Sequence, residues 1–124
     1  MSYQRLSGQS GFRVAIAFAV VACGGASLDQ TKLAETQTAM HAAETLGAAK
    51  DPKAKQSLQR AQDELAEAKR LGKDGDGERG NLYLERATAD AELASQLTRT
   101  GIEEEKARAA WAKSKAMVDV RAPQ

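Results

Sequence analysis

The stretch AKQSLQRAQDELAEAKRL, Ala54 to Leu71, decides the architecture. Ala54, Leu58, Ala61, Leu65 and Ala68 recur at intervals of four, three, four and three, which places all five on one seam of a helix. Lys55, Arg60, Asp63, Glu67 and Arg70 lie off that seam and read as its solvated face. Ahead of it, Asp51-Pro52 is a helix start: the aspartate caps free amides, and proline is tolerated in the first turn. A helix over 52–71 follows. Behind it, Gly72-Lys-Asp-Gly-Asp-Gly-Glu-Arg-Gly80 carries four glycines and is the expected main turn. Tyr83 or Leu84, Ala87, Ala91, Ala94 and Thr98 then resume the three-four spacing, so the chain turns back on itself as a helical hairpin. Asp76 or Asn81 can cap the returning helix. Asp76 is the better choice, although Gly77 and Gly80 each weaken the first turn by about 1 kcal/mol relative to alanine. Gly101 is a place for the helix to loosen, but Glu104 and Arg108 have the favourable acid-first spacing of four. The helix is expected over 77–118, on the order of 60 Å.

Upstream, Ser27-Leu28-Asp29-Gln30 fits a capping box with Ser27 as the cap and Gln30 reaching back. Leu33, Met40 and Gly47 recur every seven residues, with Gln37 and Ala43 or Glu44 between them, which predicts a weakly apolar helix over 28–49 that depends on its neighbours. The expectation is an all-α protein: a three-helix bundle, or a helical hairpin, with a long projecting C-terminal helix. Aromatic residues make up only 4% of the chain, and alanine is abundant, so the core is thin. No β-branched alternating run follows Val21, which argues against a sheet. Basic and acidic residues are interleaved and not massed, which argues against a nucleic-acid partner.

The N-terminal region reads differently. In GFRVAIAFAVVACGG, Gly11 to Gly25, an apolar run from Val14 to Val21 follows Arg5 and Arg13 with no acidic residue before it. This is the layout of an export signal, and it is far shorter than the roughly 20 apolar residues of a spanning helix. Val20-Val21-Ala22-Cys23 resembles the lipobox of bacterial lipoproteins. The resemblance implies diacylglycerol on the Cys23 sulfur, cleavage between Ala22 and Cys23, and an N-acyl chain on the new terminus. Two or three such chains make a stable anchor where one does not. The organisation expected is a removed signal peptide at 1–22, a lipidated tether at 23–27, a helical domain at 28–118 and a tail at 119–124. A small buried cysteine, or a plain secretory signal, are the alternatives for Cys23; as the only cysteine, it can form no intramolecular disulfide. After cleavage, sixteen basic and seventeen acidic residues remain, a net charge of −1.

Beyond the anchor, Ala34-Glu35, Gly47-Ala48, Leu58-x-x-Ala61-x-x-x-Leu65-x-x-Ala68, Asp76-Gly-Glu-Arg79 and Ala87-Thr-Ala-Asp90-Ala-Glu-Leu93-Ala94 resemble a known family. It is an uncharacterised alanine-rich helical domain of bacterial envelope lipoproteins, often found before an OmpA-like peptidoglycan-binding domain. The likeness covers about Ala34 to Leu97. The family usually has Ala-Pro before the leucine seam, where this chain has Ala54-Lys55, and no OmpA-like domain is expected within these 124 residues. The resemblance implies a location and an architecture, and no chemistry.

Few residues suggest a reactive site. Asp74, Asp76, Glu78 and Glu85 superficially fit a calcium loop, but Arg79 stands where the bend needs glycine. His41 and Glu44 share a side, yet a metal needs three or four ligands. No nucleophile constellation or phosphate loop is present, so no enzyme, metal or cofactor is expected beyond the covalent lipid. Arg108, Trp111 and Lys115 share one face of the last helix, where the indole either meets a partner or packs on the first helix. The functional expectation is a structural or spacer lipoprotein at the periplasmic face of the outer membrane, since Gly24 is not the retaining aspartate. The alternative is an adaptor that docks an envelope protein complex through its exposed last helix.

Overall fold

A computed structural model describes residues 26–121. The described residues form three helices: α1 (Gln30–Leu46), α2 (Lys55–Lys73) and α3 (Gly77–Arg121). The expected all-α class is observed. Asp29, Lys32 and Thr36 of the first segment meet Asn81, Glu85 and Thr88 in rising order, so α1 runs parallel to α3. Arg60 meets Asp90 while Lys53 meets Glu104, so α2 runs antiparallel. The result is an up-down-up bundle with α3 as the common spine, and α1 and α2 share little surface with each other.

The α2 seam is buried as its spacing predicts, and Leu71 extends it by one turn. Alanines outnumber leucines eight to four among the buried apolar residues. One cluster joins Ala43, Ala48, Ala54, Leu58 and Ala94 near the α1–α2 connection. The other joins Leu65, Ala68, Leu84 and Ala87 toward the α2–α3 turn, with Leu28, Leu33, Met40 and Tyr83 against it. Leu84, not Tyr83, is therefore the seam residue.

Several local expectations are corrected. The cap of α1 is Asp29, whose Oδ1 accepts from the Thr31 and Lys32 amides at 2.8 and 3.3 Å. Ser27 is displaced from that role because the Asp29 N–H itself donates to Asn81 Oδ1 at 2.8 Å, which fixes the chain's entry two residues later. Gln30 reaches only the Leu28 carbonyl. Helix α1 ends at Leu46, not Ala49, because Gly47 takes φ +97. The Ala48 amide then donates to Ala43 O and the Gly47 amide to Glu44 O, the double closure of a Schellman motif. Gly47 is thus a cap and not part of a stripe; Thr36 and Ala43 are the buried residues, while Gln37 and Glu44 are exposed.

Asp51 does cap the next segment, accepting from the Lys53 and Ala54 amides, but one turn precedes α2, which begins at Lys55 and runs to Lys73. Asp76 caps α3 through the Arg79 amide at 3.3 Å. Helix α3 continues through residues 119–121, so the expected tail is partly helical. It also runs unbroken through Gly101. A side chain there would sit 3.0 Å from Asp51 Oδ2, so this glycine admits the α1–α2 connection and does not loosen the helix.

Candidate functional site

The glycine-rich segment is more than a turn. Only Gly75 has positive φ, +83, and it closes α2 by a second Schellman motif in which the Asp76 amide donates to Leu71 O. Gly72 belongs to α2 and Gly77 and Gly80 to α3. Their missing side chains form a seat for residues 26–28. A Cβ on Gly77 would lie 1.8 Å from Ala26 O, one on Gly80 would lie 2.7 Å from Leu28 Cδ1, and one on Gly72 would lie 3.1 Å from Leu28 Cβ. Asn81 holds the same segment from above by accepting from the Asp29 amide. The chain therefore enters the bundle at the α2–α3 turn, beside a shallow cleft lined by Ser27, Leu28, Leu33, Lys69 and Lys73. Ala22 and Cys23, the expected cleavage and lipidation residues, lie outside the described residues.

At the other end α3 leaves its partners. The Lys53–Glu104 ion pair at 3.3 Å is the last contact from α2's side, and Ile102 to Val120 are all exposed. Trp111 is 67% exposed and does not pack on α1, which ends far below it. Lys115 Nζ lies 5.6 Å from the centre of its ring, a cation–π distance, whereas Arg108 turns to Glu104 at 3.5 Å. The expected face thus assembles Trp111 with Lys115 but not with Arg108. Glu103–Lys106 and Glu104–Arg108 pairs support the overhang as a single helix.

Several of the bundle's charges pair with one another. Arg60 makes a two-pronged contact with Asp90 at 3.0 and 3.1 Å, which raises the guanidinium pKa. Lys32 pairs with Glu85 and is likewise raised. Arg70 bridges Glu67 and Asp74, and its hydrogen bonds hold Glu67 below the usual carboxylate range. Asp76 pairs with Arg79. Asp74, Asp76 and Glu85 of the superficial calcium pattern are therefore each matched by a cation. Glu64 differs in being unpaired where it is buried: one carboxylate oxygen has no hydrogen-bond partner, and burial, then Asp90, pushes its pKa up.

A second feature escaped the sequence reading. Thr36 is fully buried between α1 and α3, with its Oγ1 2.8 Å from Lys32 O, 3.2 Å from Leu84 O and 2.9 Å from Thr88 Oγ1. It is a buried polar link across that interface, and nothing local in the sequence pairs residues so far apart. Beside it an open groove of about 720 Å³ runs between α1 and α3, lined by Glu35, Ala39, Ala42, Glu92 and Arg99 among others. His41 is exposed on α1. Among the described residues no three acidic, histidine or cysteine side chains gather as a metal site, and no helix is long and apolar enough to cross a membrane.

No curated protein and no solved structure matches this chain. The family model of DUF4398, a domain of unknown function, matches residues 31–110, which takes in nearly all of α1, all of α2, and α3 into the middle of the overhang. A match over most of the chain, with its ends close to those of the bundle, shows that the protein belongs to the DUF4398 family.

Proposed function

We propose that the protein is a non-catalytic lipoprotein of the bacterial cell envelope, anchored through acylated Cys23, whose bundle acts as a structural spacer on the periplasmic face of the outer membrane. The observation that carries this reading is the separation of the two ends. The chain enters at the α2–α3 turn, three residues after Cys23, while α3 extends about 68 Å away from it. The apolar run with its lipobox supports the anchor, and the alanine-lined core, crossed by ion pairs such as Arg60–Asp90, supports a structural role. Intact mass of the membrane-extracted protein tests it, beside Cys23→Ala. The expected species begins at residue 23 with added acyl mass, and the variant loses both processing and anchorage. An unmodified Cys23 in the soluble fraction would sink the reading.

The exposed overhang favours an adaptor as the second reading. Trp111, Met117, Val118 and Val120 are 60–88% exposed on the overhang of α3, which packs on no other helix among the described residues. Trp111→Ala leaves a spacer working but releases an envelope protein from pull-downs of detergent-solubilised membranes if the helix docks one.

A further inference from the structure

The turn end of the bundle carries two lysines that make no ion pair among the described residues. Arg70 is held by Glu67 and Asp74, and Arg79 by Asp76. Lys69 and Lys73, one helical turn apart on α2, make no ion pair among the described residues and stand exposed on either side of Gly72. They border the cleft that Ser27 and Leu28 occupy, and Leu28 is fixed there by Gly72 and Gly80. Glu78, which also makes no ion pair among the described residues, lies in the first turn of α3, where the helix's own partial positive charge offsets it. Only Gly24 and Gly25 separate Cys23 from Ala26, a reach of about 10 Å when fully extended. A lipid on Cys23 therefore keeps this end of the bundle at headgroup level.

We propose that Lys69 and Lys73, beside the seated Ser27–Leu28 segment, form a footing for anionic phospholipid headgroups. The footing sets the bundle turn-end down with α3 pointing away from the membrane. The proposal rests on the anchored reading above. The occupant is a lipid surface because Ser27 and Leu28, which share the cleft with the two lysines, lie only a few residues from the anchor. Each basic side chain near an anionic surface strengthens contact about fivefold, and the effect weakens with salt. Trp111, 34 residues beyond Gly77, then stands about 51 Å from the turn.

The test uses the full chain extracted from membranes and bound to vesicles of phosphatidylcholine, with or without phosphatidylglycerol. Lysine acetylation by a membrane-impermeant reagent is read site by site by mass spectrometry. The expected result is labelling of Lys69 and Lys73 slowed at least about fivefold on phosphatidylglycerol vesicles and restored by high salt. Lys113 and Lys115 should be unchanged, and Trp111, the only tryptophan, should escape quenching by brominated lipids. Equal labelling of Lys69 and Lys73 on both vesicles, joint protection of Lys113 and Lys115, or quenched Trp111 would each overturn the footing. Intact mass of the same sample separates the two claims. An acylated protein without protection refutes the footing alone, and an unacylated one refutes the anchor and the footing together.

Discussion

Replacing Gly77 by alanine should dislodge the N-terminal segment without unfolding the bundle. The new methyl would lie 1.8 Å from Ala26 O and 2.5 Å from the Ser27 carbonyl carbon, both backbone atoms that no rotamer change can move. Residues 26–28 must lift. They take with them the Asp29 amide bond to Asn81, about 1 kcal/mol, and the contacts of the half-buried Leu28, about 1–1.5 kcal/mol. Alanine's better helix propensity returns at most about 1 kcal/mol, and less at the first helical position. The net loss is about 1–2 kcal/mol, a fall in Tm of roughly 4–16 °C for a domain of this size. Gly75→Ala is the control. It has φ +83 and open space around it, so it strains the turn by about 1–2 kcal/mol but leaves the segment seated. Hydrogen exchange distinguishes them, because the Asp29 amide should lose its protection only in Gly77→Ala. An unchanged Tm with an unchanged Asp29 amide in Gly77→Ala would refute the seat.

Thr36→Val keeps the shape of a fully buried side chain and removes its hydroxyl, so urea unfolding should show a loss of about 1–2 kcal/mol. Adding Thr88→Val should cost less than its separate effect, because the two hydroxyls lie 2.9 Å apart, and strict additivity would argue against a shared link. Glu64→Gln should raise Tm at pH 7 by the equivalent of less than about 1 kcal/mol after solvent screening. The folded-state pKa of Glu64 is raised, so the protonated form suits the fold at low pH and the burden appears as pH rises through that pKa. The advantage of glutamine should therefore vanish near pH 4, and a gain independent of pH would contradict this origin. Trp111→Ala should leave Tm within the range of about 0.5 kcal/mol that is usual for surface changes, since the side chain stands outside the bundle.

The hairpin was legible because α2 and α3 bury regularly spaced leucines and alanines, a pattern that local periodicity reports directly. Helix α1 was harder. Its buried positions are Thr36 and Ala43, so a search for large apolar residues selects Leu33, Met40 and Gly47 and overruns the true end. Ser27 and Asp29 are equally good caps by type, and the choice between them is made by Asn81, more than fifty residues away. The glycines illustrate the same limit. Gly75 serves a positive φ, whereas Gly72, Gly77 and Gly80 serve close approach to Leu28 and Ala26. Both needs are met by deleting a side chain, so composition alone assigns all four to a turn. The overhang was expected from length, and the exposure of Trp111 follows from α1 stopping at Leu46.

The continuity of α3 has a mechanical consequence. One unbroken rod passes from the glycine seat, through the rim at Gly101, to the free tip, so no joint absorbs rotation between the two ends. Tilting the rod by about 10° at its base sweeps Trp111 sideways by roughly 9 Å, given its arm of about 51 Å. Small changes in how the base sits are thereby geared up at the tip, as in the hand of a gauge.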